Sequence, residues 1–563
     1  MHTLFHNALL AVAFLLVYLV YKLVIAPHFD PLRSIAGPKV RHWFANNLHA
    51  VLEYAQPTLL VLLTVIHLVA PQFLPKCIKF ISSVTVDPFA YEALVQYAHS
   101  TLSLDHLLTP KQWDERLLTL DPLSVAHVLK NSTIYEKPWQ SRKLITSLIG
   151  CGMLGAEGQV HKRHRRVATP AFSIQNLRAL VPLVFQKGTQ LKDRWMEMAI
   201  QAEESSQNSE IKVDVCHWIN RATFDVIGLA GFDYNFNAIQ DESNELFRAY
   251  KDMFEVAISQ GRLLRTIISI YAPFMNQIFP DETVRQVNRC QEAITRVAGH
   301  LIQEKKRKIE EGVKSGIEYA GKDLLSLLIK ANMAKDLPPD HRISDEDMLN
   351  NINTFMFAGS DTSSLTLTWT LLLLAQHPAA QDRLRAELLN IAPISNFSDL
   401  TEEEVQSVYA KVSDSPYLDN VIRESIRVIP ALHSSIRVAT QDDEIPTMYP
   451  VHSHDGNVIE DRRTVSISKG SFVHVAVEGF NLDQEFWGED AWEFNPDRWD
   501  NLPEGALGLP GLYNHTLTFS AGPRSCIGMR FSMIEMKTFL YILLTQFVFK
   551  PSSEKIIKAN VYV

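Results

Sequence analysis

Cys526 is the residue with the most chemistry to offer, within the run FSAGPRSCIG from Phe519 to Gly528. A thiolate is a nucleophile and a metal ligand, and positive potential must stabilise it. A helical pattern resumes directly after the run, from Met529 to about Gln546. A turn that leads into a helix N-terminus supplies free N–H groups and the positive end of a dipole. Gly522 and Gly528 let the backbone bend and approach a flat ligand closely. Arg524, two residues before the cysteine, can pair with a carboxylate. The alternative is an ordinary buried cysteine in a glycine turn.

A second chemical element is Ala358-Gly359-Ser360-Asp361-Thr362, mid-way along a helix predicted from Asp345 to about His377. Ser344 is its expected N-cap, with Asp347 three residues on, and Pro378 ends the pattern. Ala358 and Gly359 are small enough for a ligand to come close. Ala358 and Thr362 share a face. An acid beside a hydroxyl is costly to bury in an apolar helix, so it needs a reason. One reason is proton transfer. The other is a threonine bonded back to its own helix and a paired aspartate.

These elements need a scaffold. Glu424 and Arg427 lie three apart on one face of a predicted helix. Arg437, Arg498 and the basic run His161–Arg166 (HKRHRR) add cations around them. Helical spacing dominates from about residue 120 to 380, as in 176–198 and 284–309. Residues 305–322 are charged and read as an exposed loop or frayed helix end. Strand signals follow residue 430, as in 463–467 and 472–477.

The cysteine run matches FxxGxRxCxG, the signature of the cytochrome P450 superfamily, at Phe519, Gly522, Arg524, Cys526 and Gly528. AGSDT resembles the same family's oxygen-activating element. Glu424-Ser425-Ile426-Arg427 resembles its ExxR, and FNPDRW at 494–499 resembles the later arginine element. LTLDP at 118–122 and FDVIG at 224–228 look like fungal microsomal members. The resemblance implies a mainly α fold with small β-sheets (α+β), a long central helix over haem and an N-terminal transmembrane anchor. It implies haem b with Cys526 as the thiolate ligand of the iron. Such a ligand pushes electron density on to the metal and favours O–O cleavage. Phe519, Arg524, Gly528, Arg437, and His161 with Arg165 at the family's WxxxR spacing, would then contact the cofactor. Arg524, Arg437 and Arg165 would face its two carboxylates. Glu424, Arg427 and Arg498 would form a structural network behind it. Thr362 would hold the oxygen species and its water while Asp361 helps to supply protons. Lys162, Arg163 and Arg166 would offer a patch to an acidic electron donor. The implied reaction is hydroxylation of a lipophilic substrate with O₂ and electrons drawn from NADPH through a reductase. Substrate would enter over Ala358 and Gly359 and through the segment 137–153. A terpenoid or similar secondary metabolite is the first expectation, a fatty acid or foreign aromatic the second. A non-oxygenase haem protein or an inactive product of an altered N-terminal region is the remaining alternative.

Composition agrees with an enzyme of this kind. The chain has 563 residues and a net charge of -9, which argues against a nucleic-acid partner. Cys77, Cys151, Cys216, Cys290 and Cys526 are too scattered for a disulfide framework. Residues 5–26 are apolar over about the ~20 residues that span a bilayer. Lys22, Arg33, Lys39 and Arg41 end or follow this stretch, and no Lys or Arg precedes it. The positive-inside rule then makes it a single-pass anchor in the endoplasmic reticulum membrane, with the body cytosolic and in contact with lipid. The expected organisation is an anchor over 1–26, a Pro/Gly hinge over 27–47, an atypical apolar segment over 48–87 and a catalytic domain over 88–563. Residues 48–87 read as an insertion, a second membrane contact or mistranslated intron sequence.

Overall fold

The computed structural model describes residues 116–552, apart from 207–209, 242, 259–268, 316–320, 335–336, 392–399, 452–457 and 460–461. The expected anchor, hinge and apolar segment lie outside the described residues. Helices dominate. In chain order, those that position the site are α1 (Pro122–Lys130), α2 (Trp139–Ile149), α3 (Gly158–Ala168), α4 (Val181–Ser206), α5 (Val215–Phe232), α6 (Glu245–Ile258), α7 (Glu282–Ser315), α8 (Leu324–Met333), α9 (Asp345–Gln376), α10 (Pro378–Leu389), α11 (Glu402–Ser413), α12 (Pro416–Val428) and α13 (Met529–Gln546). Six short strands accompany them: β1 (Arg116–Thr119), β2 (Tyr135–Glu136), β3 (Ser435–Ala439), β4 (Asp443–Pro446), β5 (Thr464–Ile467) and β6 (Phe472–Val475). Four form a sheet in the order β1-β6-β3-β2, parallel only between β1 and β6, while β4 and β5 form an antiparallel pair. The mainly α architecture with small sheets is the one the sequence implied.

The central helix α9 begins as its sequence dictates. The Asp347 N–H donates to Ser344 Oγ at 3.0 Å, and the Ser344 N–H donates to Asp347 Oδ2 at 3.1 Å. Three acids in the first turn favour the positive end of its dipole. At 1.5 Å per residue it runs about 48 Å. It packs against α5 and α13 within one large apolar core. A smaller core lies between the sheets and α1. Pro378 does not simply stop the chain; it opens α10 at once, where its missing N–H costs nothing.

Of residues 305–322, expected to be an exposed loop or frayed helix end, those up to Ser315 are regular helix. α7 continues to Ser315, carried by Glu304–Lys308 and Arg307–Glu311 pairs at i,i+4 spacing. Lys305 is buried and pairs with Asp323 at 2.9 Å. Charge density alone could not tell a solvated helix face from a loop.

Behind α9, the Glu424 carboxylate is fully buried. It accepts from Arg427 Nε at 2.9 Å and Nη2 at 2.7 Å, from Arg498 Nε at 3.3 Å, from Trp499 Nε1 at 3.0 Å and from the Asn495 N–H at 3.0 Å. Arg427 spends its remaining donors on the carbonyls of Asn481, Ala491 and Glu493. Every formal charge is thus met by hydrogen bonds. Removing one partner strands the other in a dry core, at a cost of about 3–5 kcal/mol. Glu424→Ala is therefore expected to lower unfolding free energy by about that amount, measured by denaturant titration. A loss below about 1 kcal/mol would contradict it.

Candidate active site

The loop before α13 is shaped by backbone geometry. Ser520 takes φ +59° and Gly522 φ +68°. A Cβ on Gly522 would lie 2.5 Å from the Leu129 carbonyl oxygen at the end of α1. Glycine is required there by both φ and space. The Cys526 N–H donates to the Phe519 carbonyl at 2.9 Å, closing the loop on itself. The Phe519 ring stands edge-on to Tyr513, with centroids 5.8 Å apart. Gly528 is the residue before α13 and needs no positive φ. A Cβ there would touch Cys526 Sγ at 3.9 Å, so this glycine keeps space beside the sulphur.

Cys526 has exposed surface although it sits deep in the fold. Burial pushes its thiol up. The N–H groups of Gly528 and Met529 and the charge of Arg165 act the other way. The helix N-terminus does face the sulphur, as the sequence suggests. On its own it does not outweigh desolvation; a bound cation would.

Around this loop lies a group of buried cations. Arg165 Nη1 donates to the Ser525 carbonyl at 2.7 Å. Arg524 lies against the Glu157 carboxylate, and its Nη2 donates to the Ala156 carbonyl at 2.7 Å. Arg437, on β3, donates to Ser435 Oγ at 2.6 Å and the Ile436 carbonyl at 2.9 Å. Burial pushes its guanidinium down to about 10. Lys137, between β2 and α2, is buried as well. Its ammonium is held well below the usual lysine range by burial and by Arg437, Arg524 and Arg142. The Lys137 N–H donates to Glu157 Oε1 at 3.2 Å, but among the described residues no carboxylate forms an ion pair with the side chain of Lys137 or Arg437. His161 is buried, and desolvation with Lys137 and Arg165 beside it brings it down to about 4, so it is neutral at physiological pH. The basic run divides by face: His161 and His164 turn inward, while Lys162 and Arg166 are exposed.

On α9, Ala358 is exposed in a helix otherwise largely buried, and Thr362 is half-buried one turn on. Thr362 Oγ1 donates to the Ala358 carbonyl at 2.7 Å. Thr354, Ser360, Thr366, Thr368 and Thr370 bond back along the helix in the same way. The back-bonded geometry is thus general here, and position rather than geometry distinguishes Thr362. The sequence places Gly359 beside Ala358 on the substrate face. Its missing Cβ would instead meet Ile227 Cδ1 at 3.1 Å, so its smallness serves the packing of α5 on α9. Asp361 also turns toward α5, where Asn220 Nδ2 donates to its Oδ1 at 2.6 Å. Burial pushes its carboxyl up, opposed by that bond. One residue past Thr362, Ser363 Oγ donates to Glu535 Oε2 of α13 at 2.7 Å. Glu535 is fully buried and pushed up to about 8.

A cysteine at the start of α13, a helix packed on the long central helix α9, with cations around its loop, defines a haem-thiolate type of site. Residues 112–560 match the family model described as cytochrome P450. The chain is 33% identical to cytochrome P450 monooxygenase 128 of Postia placenta over 542 residues, which is 95% of this chain and 89% of that protein. It is 32% identical to monooxygenase 205 of the same fungus, with the same coverage of both chains. It is 33% identical to a ganoderic acid synthetase of Ganoderma lucidum over 78% of this chain and 80% of that protein. The chain belongs to the cytochrome P450 family and is a cytochrome P450 monooxygenase.

The family binds haem iron through a cysteine thiolate. The residues present fit that group. Haem carries two carboxylates, and the buried side chains of Lys137 and Arg437 are in no ion pair among the described residues. Sequence reasoning missed Lys137, Glu157, Asn220 and Glu535. A signal existed for Glu535, an acid within the apolar run after the cysteine. None existed for the others, whose partners are distant in sequence.

Two outcomes follow from this geometry. Lys137→Ala removes a charged donor whose bond is worth about 1.5–3 kcal/mol, so haem transfer to a scavenging apoprotein should quicken about 10-fold or more. An unchanged rate would separate Lys137 from the cofactor. Glu535 ionises near 4.5 when unfolded and near 8 when folded. Its folded state therefore holds a proton that the unfolded chain releases, and its contribution is lost as pH rises from about 4.5 through about 8. Glu535→Gln should flatten the fall of the melting temperature across that window. Parallel curves for variant and wild type would show that Glu535 is not the titrating group.

Proposed function

We propose that this chain inserts one oxygen atom of O₂ into a lipophilic substrate by C–H hydroxylation, with electrons supplied from NADPH by a reductase in the same membrane. The observation that carries this reading is the Cys526 loop at the start of α13, with Arg165 acting on its sulphur and the buried side chains of Lys137 and Arg437 close by. When bound, the haem supplies the iron at which O₂ is activated.

The protein's own residues then have separate tasks. Cys526 presents its sulphur under the N–H groups of Gly528 and Met529. Lys137, Arg437, Arg165 and Arg524 would hold the haem carboxylates, Arg524 while also against Glu157, with neutral His161 beside them. Phe519 and Gly528 would shape the loop that carries the thiolate. Ala358 would leave room for substrate. Thr362 donates its own proton to the Ala358 carbonyl, which leaves its oxygen free to accept from a water. Asp361 releases and regains protons. Glu424, Arg427 and Arg498 keep the scaffold rigid. Exposed Lys162 and Arg166 receive the acidic reductase.

The relative named a ganoderic acid synthetase supports a terpenoid scaffold as the substrate. Among the described residues no helix is long and apolar enough to cross a membrane. The proposed anchorage therefore rests on residues 1–26, read as a single-pass segment of the endoplasmic reticulum membrane. Residues 27–47 would be the hinge, 48–87 an apolar segment and 88–563 the cytosolic catalytic domain.

The test is spectroscopic first and chemical second. Reduced, CO-treated protein should give the red-shifted Soret band of a thiolate ligand, and Cys526→Ala should abolish it. A band that survives in the variant would assign the ligand elsewhere. Thr362→Ala should lower product per NADPH consumed by about 10- to 100-fold. Expression with a fungal reductase and terpenoid candidates, followed by product analysis, identifies the substrate.

A further inference from the structure

α5 grips α9 by polar contacts on either side of Asp361. Thr223 Oγ1 donates to the Ser360 carbonyl at 3.1 Å. Asn220 Nδ2 donates to Asp361 Oδ1 at 2.6 Å and reaches Ser364 Oγ at 3.4 Å. The interface offers few groups that could set the charge of this acid. Cys216, one turn before Asn220 on α5, is its titratable neighbour, with Asp214 beyond it. On α9 itself the neighbours are the hydroxyls of Thr362, Ser364 and Thr368. Among the described residues, no Lys, Arg or His is in an ion pair with Asp361. Arg221, the next residue of α5, lies instead over the Trp218 ring at 4.8 Å.

The chemistry of the partner matters. A lysine or arginine binds a carboxylate mainly as the anion, so protonation would sacrifice the bond. A primary amide carries both a donor and an acceptor. It can donate to the carboxylate, and equally to the carbonyl oxygen of the neutral acid while accepting from its hydroxyl. An acid tethered by an amide can therefore gain and lose a proton without leaving its place.

We propose that Asn220 is a positioning residue for Asp361, an uncharged tether that fixes the acid next to Thr362 and can bond it in either protonation state. This rests on the reading of Asp361 and Thr362 as a proton relay. The raised carboxyl of Asp361 agrees with it.

The experiment uses holoenzyme with its reductase and an accepted substrate, and reads two quantities. One is product formed per NADPH. The other is the pH midpoint of the protonated-carboxyl infrared band of resting enzyme, assigned to Asp361 by its loss in Asp361→Asn. Asn220→Lys should move that midpoint down by at least one pH unit and cut coupling by about 10-fold or more, as Asp361→Asn does. Asn220→Ala tests the same point where the lysine variant fails to give the reduced, CO-bound thiolate band. Without the bond that favours the anion, it should raise the midpoint and lower coupling. If Asp361→Asn uncouples while both Asn220 variants keep the wild-type midpoint and coupling, the tether is wrong and the relay stands. If Asp361→Asn leaves coupling unchanged, the relay falls and the proposal falls with it.

Discussion

The buried Glu424 carboxylate is the contact from which the haem side of this molecule is built. Arg427 and Arg498 neutralise it, and Arg427 passes the constraint on through the Asn481 carbonyl. Asn481 then takes the Leu517 N–H on its Oδ1 at 2.9 Å and donates from Nδ2 to Thr518 Oγ1 at 3.0 Å. Thr518 in turn donates to the Ile426 carbonyl at 2.7 Å. The next residue is Phe519, whose carbonyl closes the cysteine loop. Hydrogen bonds, with the covalent step from Thr518 to Phe519, thus link a buried ion pair to the backbone of Cys526. Such a network is stiff because each unmade bond would leave a polar group without water.

The same economy operates on the other side. Ser363 and Glu535 join α9 to α13, so the helix that carries Thr362 and the helix that follows Cys526 are held in register. Burial pushes the joining acid up to about 8, and among the described residues no cation pairs with it. Asp361 lies in a similar setting, against an amide. Two carboxyl groups near the site therefore avoid the ion pairing that Glu424 requires. The contrast separates an acid used as a fixed charge from acids that are free to hold protons.

Much of the fold was legible in the sequence because its signals are local. The capping box at Ser344 and Asp347 marks the start of α9, and the apolar run from Met529 marks α13. The cysteine run is legible because φ, space and helix polarity must coincide within ten residues. What escaped was long-range. Asn220 lies 141 residues from Asp361, and no local pattern announces the pairing. Lys137 looks like any lysine before a proline until the fold sets Arg437 and Arg524 around it. Gly359 shows the limit of composition: a small residue near a site can serve the helix packed behind it. Lys305 shows the same for charge, since a lysine in a charged run proves to be core.

Gly522 carries a consequence for how variation at this site should be interpreted. Its missing side chain faces the end of α1, not the ligand loop's contents. A catalogue of tolerated residues across 519–528 would therefore mix two kinds of intolerance. At 526 it would record coordination chemistry, and at 522 it would record the shape of a neighbouring helix. A designer wishing to alter the cofactor's surroundings would gain nothing from position 522 without rebuilding residues 129–130 first.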